Sequence, residues 1–168
     1  MTKTKTLSAT ALLVLAHTHA VIGAEVIRYK NPKSDFPIAQ AVEIPAGQSL
    51  VFLSGMGPEI ADAAAPKDSP AAYGDTKQQT LSTLGTIEAA LKSMNLGMKD
   101  VVKMQVFLVG DPAQGGKLDF GGMMESYRRF FGTADQPNTP SRSTVKVAGL
   151  ANPGWLVEIE VTAARAPK

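Results

Sequence analysis

The 168-residue chain contains no cysteine, and its only two histidines, His17 and His19, fall within the first 24 residues. No disulfide can form, and no lipid can be attached at a leader cysteine. Beyond Ala24 there is neither imidazole nor thiol. That excludes Ser-His-Asp and Cys-His nucleophilic machinery there, together with zinc sites of the usual His/Cys kind. A strong charge of either sign is missing too, since 17 basic and 15 acidic residues give only +2. Nucleic-acid binders usually carry a basic footprint, and none is present. Any catalysis is left to carboxylates, arginine, lysine, tyrosine, hydroxyls and backbone groups.

What is present begins with a leader. MTKTK is basic, LSATALLVLA is an apolar run of ten, and HTHAVIGA supplies small residues. That order reads as a secretory signal over residues 1–24, with cleavage after Ala24 or Ala20. Ten residues are too few to span a bilayer. Losing Lys3 and Lys5 leaves 15 basic and 15 acidic residues, a net charge of zero. The expected product is a single domain over 25–168, secreted or periplasmic, with no membrane attachment once the leader is removed.

Residues 25–48 mix short apolar alternation with Pro32, Pro37 and Pro45, which suits edge strands and turns. SLVFLSG, 49–55, is a strand closed by glycine. The stretch 56–73 is a long unpatterned loop. Leu81, Leu84, Ile87, Leu91 and Met94 then recur at three and four, predicting a helix with Asp75 or Thr76 as cap and Gly97 as stop. DVVKMQVFLVGD predicts a strand with Val102, Met104, Val106 and Leu108 on one side. A second helix follows, with Phe120, Met123, Met124, Tyr127 and Phe131 as its stripe and Gly132 as its end. Gly121 and Gly122 each weaken its start by roughly 1 kcal/mol relative to alanine. Strands at 142–147 and 155–162, joined by AGLANPG, complete an α+β domain with two helices on one sheet face. The other face needs a second subunit to cover it.

Alternation in those last strands puts Trp155, Val157, Ile159 and Val161 on one side, with Glu158 and Glu160 on the other. In the strand before, Arg142, Thr144 and Lys146 oppose Val145 and Val147. If the apolar sides meet the helices and the connection is a hairpin, Arg142 faces Glu158 or Glu160 within a residue or two. A cross-strand ion pair of roughly 0.2–1 kcal/mol then competes with a carboxylate receptor beside a water-activating acid.

The segment TPSRSTVKVAGL with VEIEVTA resembles the C-terminal signature of the Rid (YjgF) family of reactive-intermediate deaminases. AQAV, LVFLSG, QTL, IEAAL, DVVKMQVFL and YRRFFG follow in the family's order. The resemblance implies a homotrimer of chorismate-mutase-like domains, in which mixed six-stranded sheets form a barrel-like core. It implies inter-subunit clefts where Arg142 grips the carboxylate of a 2-imino acid and Glu158 positions the hydrolytic water. Ser54 and Gly55 match residues lining that pocket. The products are a 2-oxo acid and ammonia, with no metal or organic cofactor.

Three positions depart from the family's imine-hydrolysing pattern. Ile38 stands where a tyrosine is usual, Met124 where an asparagine is, and Thr144, two after the arginine, where cysteine is frequent. The pocket is thereby more apolar. The alternative is a non-catalytic trimer that captures small carboxylates or amino acids in the same cleft. The ribonuclease activity sometimes attached to the family fits poorly with a neutral mature chain lacking histidine.

Overall fold

The computed structural model describes residues 25–167; the leader segment 1–24 lies outside the described residues. Six strands and two α-helices follow in order among the described residues: β1 (Ile27–Tyr29), β2 (Ala41–Glu43), β3 (Ser49–Met56), α1 (Thr76–Ser93), β4 (Val101–Leu108), α2 (Phe120–Tyr127), β5 (Ser141–Lys146) and β6 (Val157–Arg165). The six strands divide into a four-stranded mixed sheet, ordered β3-β6-β4-β5, and a two-stranded β1-β2 ribbon. The architecture is α+β.

The first helix starts where Asp75 accepts from the Gln78 N–H at 2.8 Å, while the Asp75 N–H donates to Gln78 Oε1 at 3.0 Å. This reciprocal capping box satisfies two donors left free by the first turn. Its end differs from the expected glycine stop. Asn95, at φ 56°, takes the left-handed position. Leu96 N–H bonds Leu91 O at 2.9 Å and Asn95 N–H bonds Lys92 O at 3.0 Å. That is a Schellman closure, for which asparagine's short polar side chain serves nearly as well as glycine.

The buried face of α1 is also more polar than its leucine spacing implies. Leu84, Ile87 and Leu91 are buried, but so are Thr76, Gln79, Thr80 and Thr83, whereas Leu81 is exposed. Small hydroxyl residues let α2 approach closely, and Ser126 of α2 donates to Lys77 O at 2.7 Å. The second helix ends at Tyr127, earlier than Gly132. Phe120 of its expected stripe is partly exposed, while Met123, Met124, Tyr127 and Phe131 are buried.

The expected hairpin between the last two strands is absent. β5 lies parallel to β4, and β6 lies antiparallel to β4 on its other side. A parallel pair requires a crossover, and α2 supplies it between β4 and β5. The chain then passes back over β4 to reach β6. Trp155 and Leu156 precede β6 rather than belonging to it.

The face assignment of β5 changes as well. Arg142 pairs with Met104, and Met104 with Val161, so Arg142 lies on the helix side of the sheet. Val145 pairs with Phe107, which pairs with Glu158, and these three share the uncovered side. Val145 is accordingly exposed. Alternation misassigned this strand because its polar residues, not its valines, sit beneath α2.

β1 and β2 are held to the domain by Arg28. Its guanidinium donates to Val101 O (2.9 Å), Thr139 O (2.8 Å) and Lys99 O (2.8 Å). Burial lowers its pKa from the ordinary arginine value, with nearby Asp100 acting in the opposite direction.

Candidate functional site

Arg142 projects from the edge strand β5 beneath α2. Its Cζ lies 4.2 Å from the Tyr127 ring centroid, 5.5 Å from that of Phe36 and 6.0 Å from that of Phe120. Nη2 contacts Met124 Sδ at 3.2 Å and Nη1 contacts Met123 Sδ at 4.0 Å. Thioethers are weak acceptors, so the guanidinium's donor capacity is largely unspent. The ion pairs among the described residues are Lys77–Glu125 and Lys92–Glu88; none involves Arg142. Burial lowers the Arg142 pKa, the Tyr127 hydroxyl acts in the opposite direction, and neighbouring Arg128 adds to the lowering. Aromatic faces contribute roughly 0.5–2 kcal/mol to holding such a cation. They do not neutralise it.

A cavity of about 500 Å³ opens beside this guanidinium. Phe36, Ile38 and Ala39 form an apolar wall, Ser141 and Ser143 flank the arginine, and Lys103, reaching from the uncovered face where it also borders the Glu160 cavity, adds a second positive charge. No carboxylate lines it. A concave site with two cations and no acid favours an anion. Of the residues singled out from the sequence, Ile38, Met124 and Arg142 are therefore gathered here. Thr144 shares the helix-side face of β5; its buried hydroxyl has no hydrogen-bond partner among the described residues.

Glu158, Ser54 and Gly55 are elsewhere. Glu158 lies on the uncovered face of the sheet, opposite to Arg142, so the intrachain ion pair expected from a hairpin does not exist. Its carboxylate folds over Gly55, where any Cβ would collide with it. Any larger residue at that point of β3 would force the Glu158 carboxylate to move. Ser54 borders a second cavity of about 410 Å³ on the uncovered face, with Phe52, Gln105 and Glu160. Glu160 accepts from Gln105 Nε2 at 3.0 Å. Glu158 has no such side-chain partner among the described residues, which separates the two glutamates chemically.

Sequence reasoning missed Phe36 and placed Phe120 in the core stripe, although it is partly exposed; Tyr127 is core as expected, and all three also surround the arginine. The usable signal was the turn-rich FPI segment, whose aromatic residue precedes a proline. Among the described residues there is no group of three or more His, Cys, Asp and Glu side chains able to hold a metal.

Tyr127 donates to Pro37 O at 2.8 Å. Burial pushes its hydroxyl pKa up, with Arg142 and Arg28 opposing. A tyrosine pKa above its unfolded value of about 10 contributes stability that is complete below that pH and lost as pH rises through the folded value. Tyr29, raised by its bond to Glu43, shares this window. Urea midpoints are therefore expected to fall above about pH 10, and to fall less in Tyr127→Phe. Parallel pH profiles for the two proteins would refute the assignment to Tyr127.

A family model described as Endoribonuclease L-PSP matches residues 30–165. A RutC family protein of Pyrococcus horikoshii is 34% identical over 140 residues, covering 83% of this chain and 96% of that one. A Rid-family protein of Yersinia pestis, YyfB, shares the fold at a TM-score of 0.60 and 20% identity, covering 81% of this chain and 96% of its own. The chain belongs to the Rid (YjgF) family.

Another similar structure is TdcF of E. coli with bound serine, at 29% identity and a TM-score of 0.53, covering 83% of this chain and 97% of its own. A RutC family protein of Haemophilus influenzae is 33% identical over 136 residues, covering 81% of this chain and 92% of that one. Within the Rid fold, the departures at Ile38 and Met124 now have a location: both border the Arg142 guanidinium or its cavity.

Proposed function

We propose that this Rid-family protein hydrolyses small 2-imino and enamino acids to 2-oxo acids and ammonia. The observation that carries this reading is Arg142, a caged guanidinium with no internal carboxylate, facing a cavity that contains no acid. Its fork offers two parallel donors to a planar carboxylate. An imine is electrophilic once protonated. A positioned water adds to its carbon while a carboxylate takes one water proton and passes it to the nitrogen; the C–N bond then breaks, ammonia leaves and carries off the remaining hydroxyl proton as ammonium, and the C=O forms. Glu158, free of side-chain partners, serves as that acceptor.

Arg142 and Glu158 lie on opposite faces of one chain's sheet, so the complete site needs a second copy. Arg142 sits at the β5 edge, whereas Glu158, Ser54 and Gly55 lie towards the β3 edge. A head-to-tail ring brings one chain's β5 end to the next chain's β3 end, and three copies close it. Exposed Leu50, Phe52 and Val145 on the uncovered face support burial by a neighbouring copy. Sedimentation equilibrium at micromolar concentration is expected to give a trimer; a monomer contradicts this assembly. Residues 1–24 serve as the export leader, placing the protein outside the cytoplasm. Mass measurement of the exported chain checks for a start at Glu25.

That TdcF has been solved with bound serine supports small-amino-acid binding by this chain as well. It also supports a second reading, capture without turnover. That reading gains from the completeness of the Arg142 cage within one chain, while Glu158 is not beside it. Turnover decides between them. Imines of alanine and 2-aminobutyrate, generated by an amino-acid oxidase and trapped with semicarbazide, should disappear faster with wild-type protein than with Arg142→Ala. Equal rates remove the deaminase reading and leave carboxylate capture.

Glu158→Gln is expected to lower kcat by about 10²-fold or more while changing substrate affinity little, because it removes the proton acceptor. Steady-state kinetics check this. A larger loss in Glu160→Gln would move the role to the other glutamate.

A further inference from the structure

Tyr127 lies behind the Arg142 cavity, in contact with both the guanidinium and the turn that forms the cavity's apolar wall. It is 1% exposed, and its ring stacks on Phe131 with centroids 4.9 Å apart. Its ring centroid also lies 4.2 Å from Arg142 Cζ, so the same ring supports the guanidinium. Its hydroxyl donates to Pro37 O at 2.8 Å. Pro37 is the centre of a three-residue turn closed by Ile38 N–H to Phe36 O at 2.8 Å. The two ends of that turn, Phe36 and Ile38, are the apolar wall of the cavity.

The turn is clamped on its other flanks too. Ala39 N–H donates to Pro140 O at 2.9 Å, and Ala39 bridges Ser141, the residue before Arg142. Pro37 rests against Gly132, where a φ of +72° and a Cβ position 3.0 Å from Pro37 Cβ would strain any other residue. Besides these backbone contacts, the Tyr127 phenol is a rigid side-chain link running from the guanidinium to the turn.

We infer that Tyr127 is a positioning residue that sets which substrate side chains the site accepts, holding carboxylate receptor and apolar wall in fixed relation. The inference rests on the proposed use of Arg142 as carboxylate receptor. A ligand pinned at its carboxylate must fit its substituent at C2 into the remaining gap. Each methylene that fits or fails to fit is worth roughly 10- to 100-fold in discrimination. A wall released from the phenol hydroxyl relaxes and loses that discrimination, while the ring still supports the guanidinium.

The test is calorimetric titration of the wild-type protein, Tyr127→Phe and Tyr127→Leu with 2-oxopropanoate and 2-oxohexanoate. Wild type should bind the two with clearly different Kd. In Tyr127→Phe the 2-oxopropanoate Kd should stay within about threefold, while the ratio of the two Kd values falls about fivefold or more. In Tyr127→Leu both should weaken together, by about tenfold, as the guanidinium loses its support. A merely structural role would weaken both probes in proportion in Tyr127→Phe and leave the ratio unchanged. That result, or a wild-type ratio near one, overturns the inference while leaving the receptor reading intact. If wild type and Arg142→Ala alike bind neither probe, the receptor reading has failed and this inference falls with it. Should Tyr127→Phe fail to fold, Pro37→Gly loosens the same turn from its partly exposed side and must reproduce the lost ratio.

Discussion

An Arg142→Lys protein is expected to fold as the wild type does and to bind a small carboxylate about 2–5 kcal/mol more weakly. The reason lies in the cage. A planar guanidinium can lie against the Tyr127 ring and still direct two parallel N–H bonds into the cavity. A lysine ammonium is a compact, strongly hydrated charge that cannot do both. Stability should change little, because the side chain contributes only exchangeable aromatic and thioether contacts. Titration with 2-oxobutanoate, alongside thermal melts, measures both quantities. Unchanged affinity in a folded Arg142→Lys protein would mean that charge alone, not fork geometry, recruits the ligand. Unchanged affinity in Arg142→Ala would remove the receptor altogether.

Gln79→Leu is expected to destabilise the fold by about 3–5 kcal/mol without touching the site. Gln79 is fully buried on α1. Its Nε2 donates to Gly74 O at 2.9 Å and to Gly154 O at 3.1 Å, and its Oε1 accepts from the Leu156 N–H at 2.7 Å. These three bonds tie the end of the 147–156 connection to the start of α1, just before β6 begins. Leucine would fill the space but leave a buried N–H and carbonyl groups without partners. Urea unfolding should show a lower midpoint at unchanged slope, whereas Leu81→Gln on the exposed side of the same helix should fall within about 0.5 kcal/mol of wild type. A loss below 1 kcal/mol in Gln79→Leu would show that water replaces these bonds.

Local patterns located the elements well because each reports a physical constraint within its own segment. The period in 76–94 and the Asp75–Gln78 pair specify a capped helix irrespective of its neighbours. Alternation in β4 likewise reports that one side is dry: Val102, Met104, Val106 and Leu108 are buried, while Lys103 and Gln105 are exposed. Alternation failed in β5 because burial there is not apolar. The cover over Arg142 is made of rings and thioethers that accept a cation, so hydrophobicity pointed to the wrong side. The hairpin reading failed because adjacency in sequence was taken for adjacency in space, when β4 lies between the two strands.

The sequence by itself determined the chemical inventory and the family. Without histidine or cysteine after Ala24, catalysis is left to carboxylates, arginine, lysine, tyrosine, hydroxyls and backbone groups. The ordered motifs from AQAV to VEIEVTA were enough to recognise the Rid pattern. Only the tertiary structure decided how Arg142, Glu158 and Glu160 are placed. Register with Met104 puts the arginine beneath α2, whereas pairing through Phe107 puts Glu158 on the uncovered face. Gln105 engages Glu160 and leaves Glu158 free. A strand's sequence fixes that successive side chains alternate, but which side becomes the inside depends on what the rest of the chain lays over it.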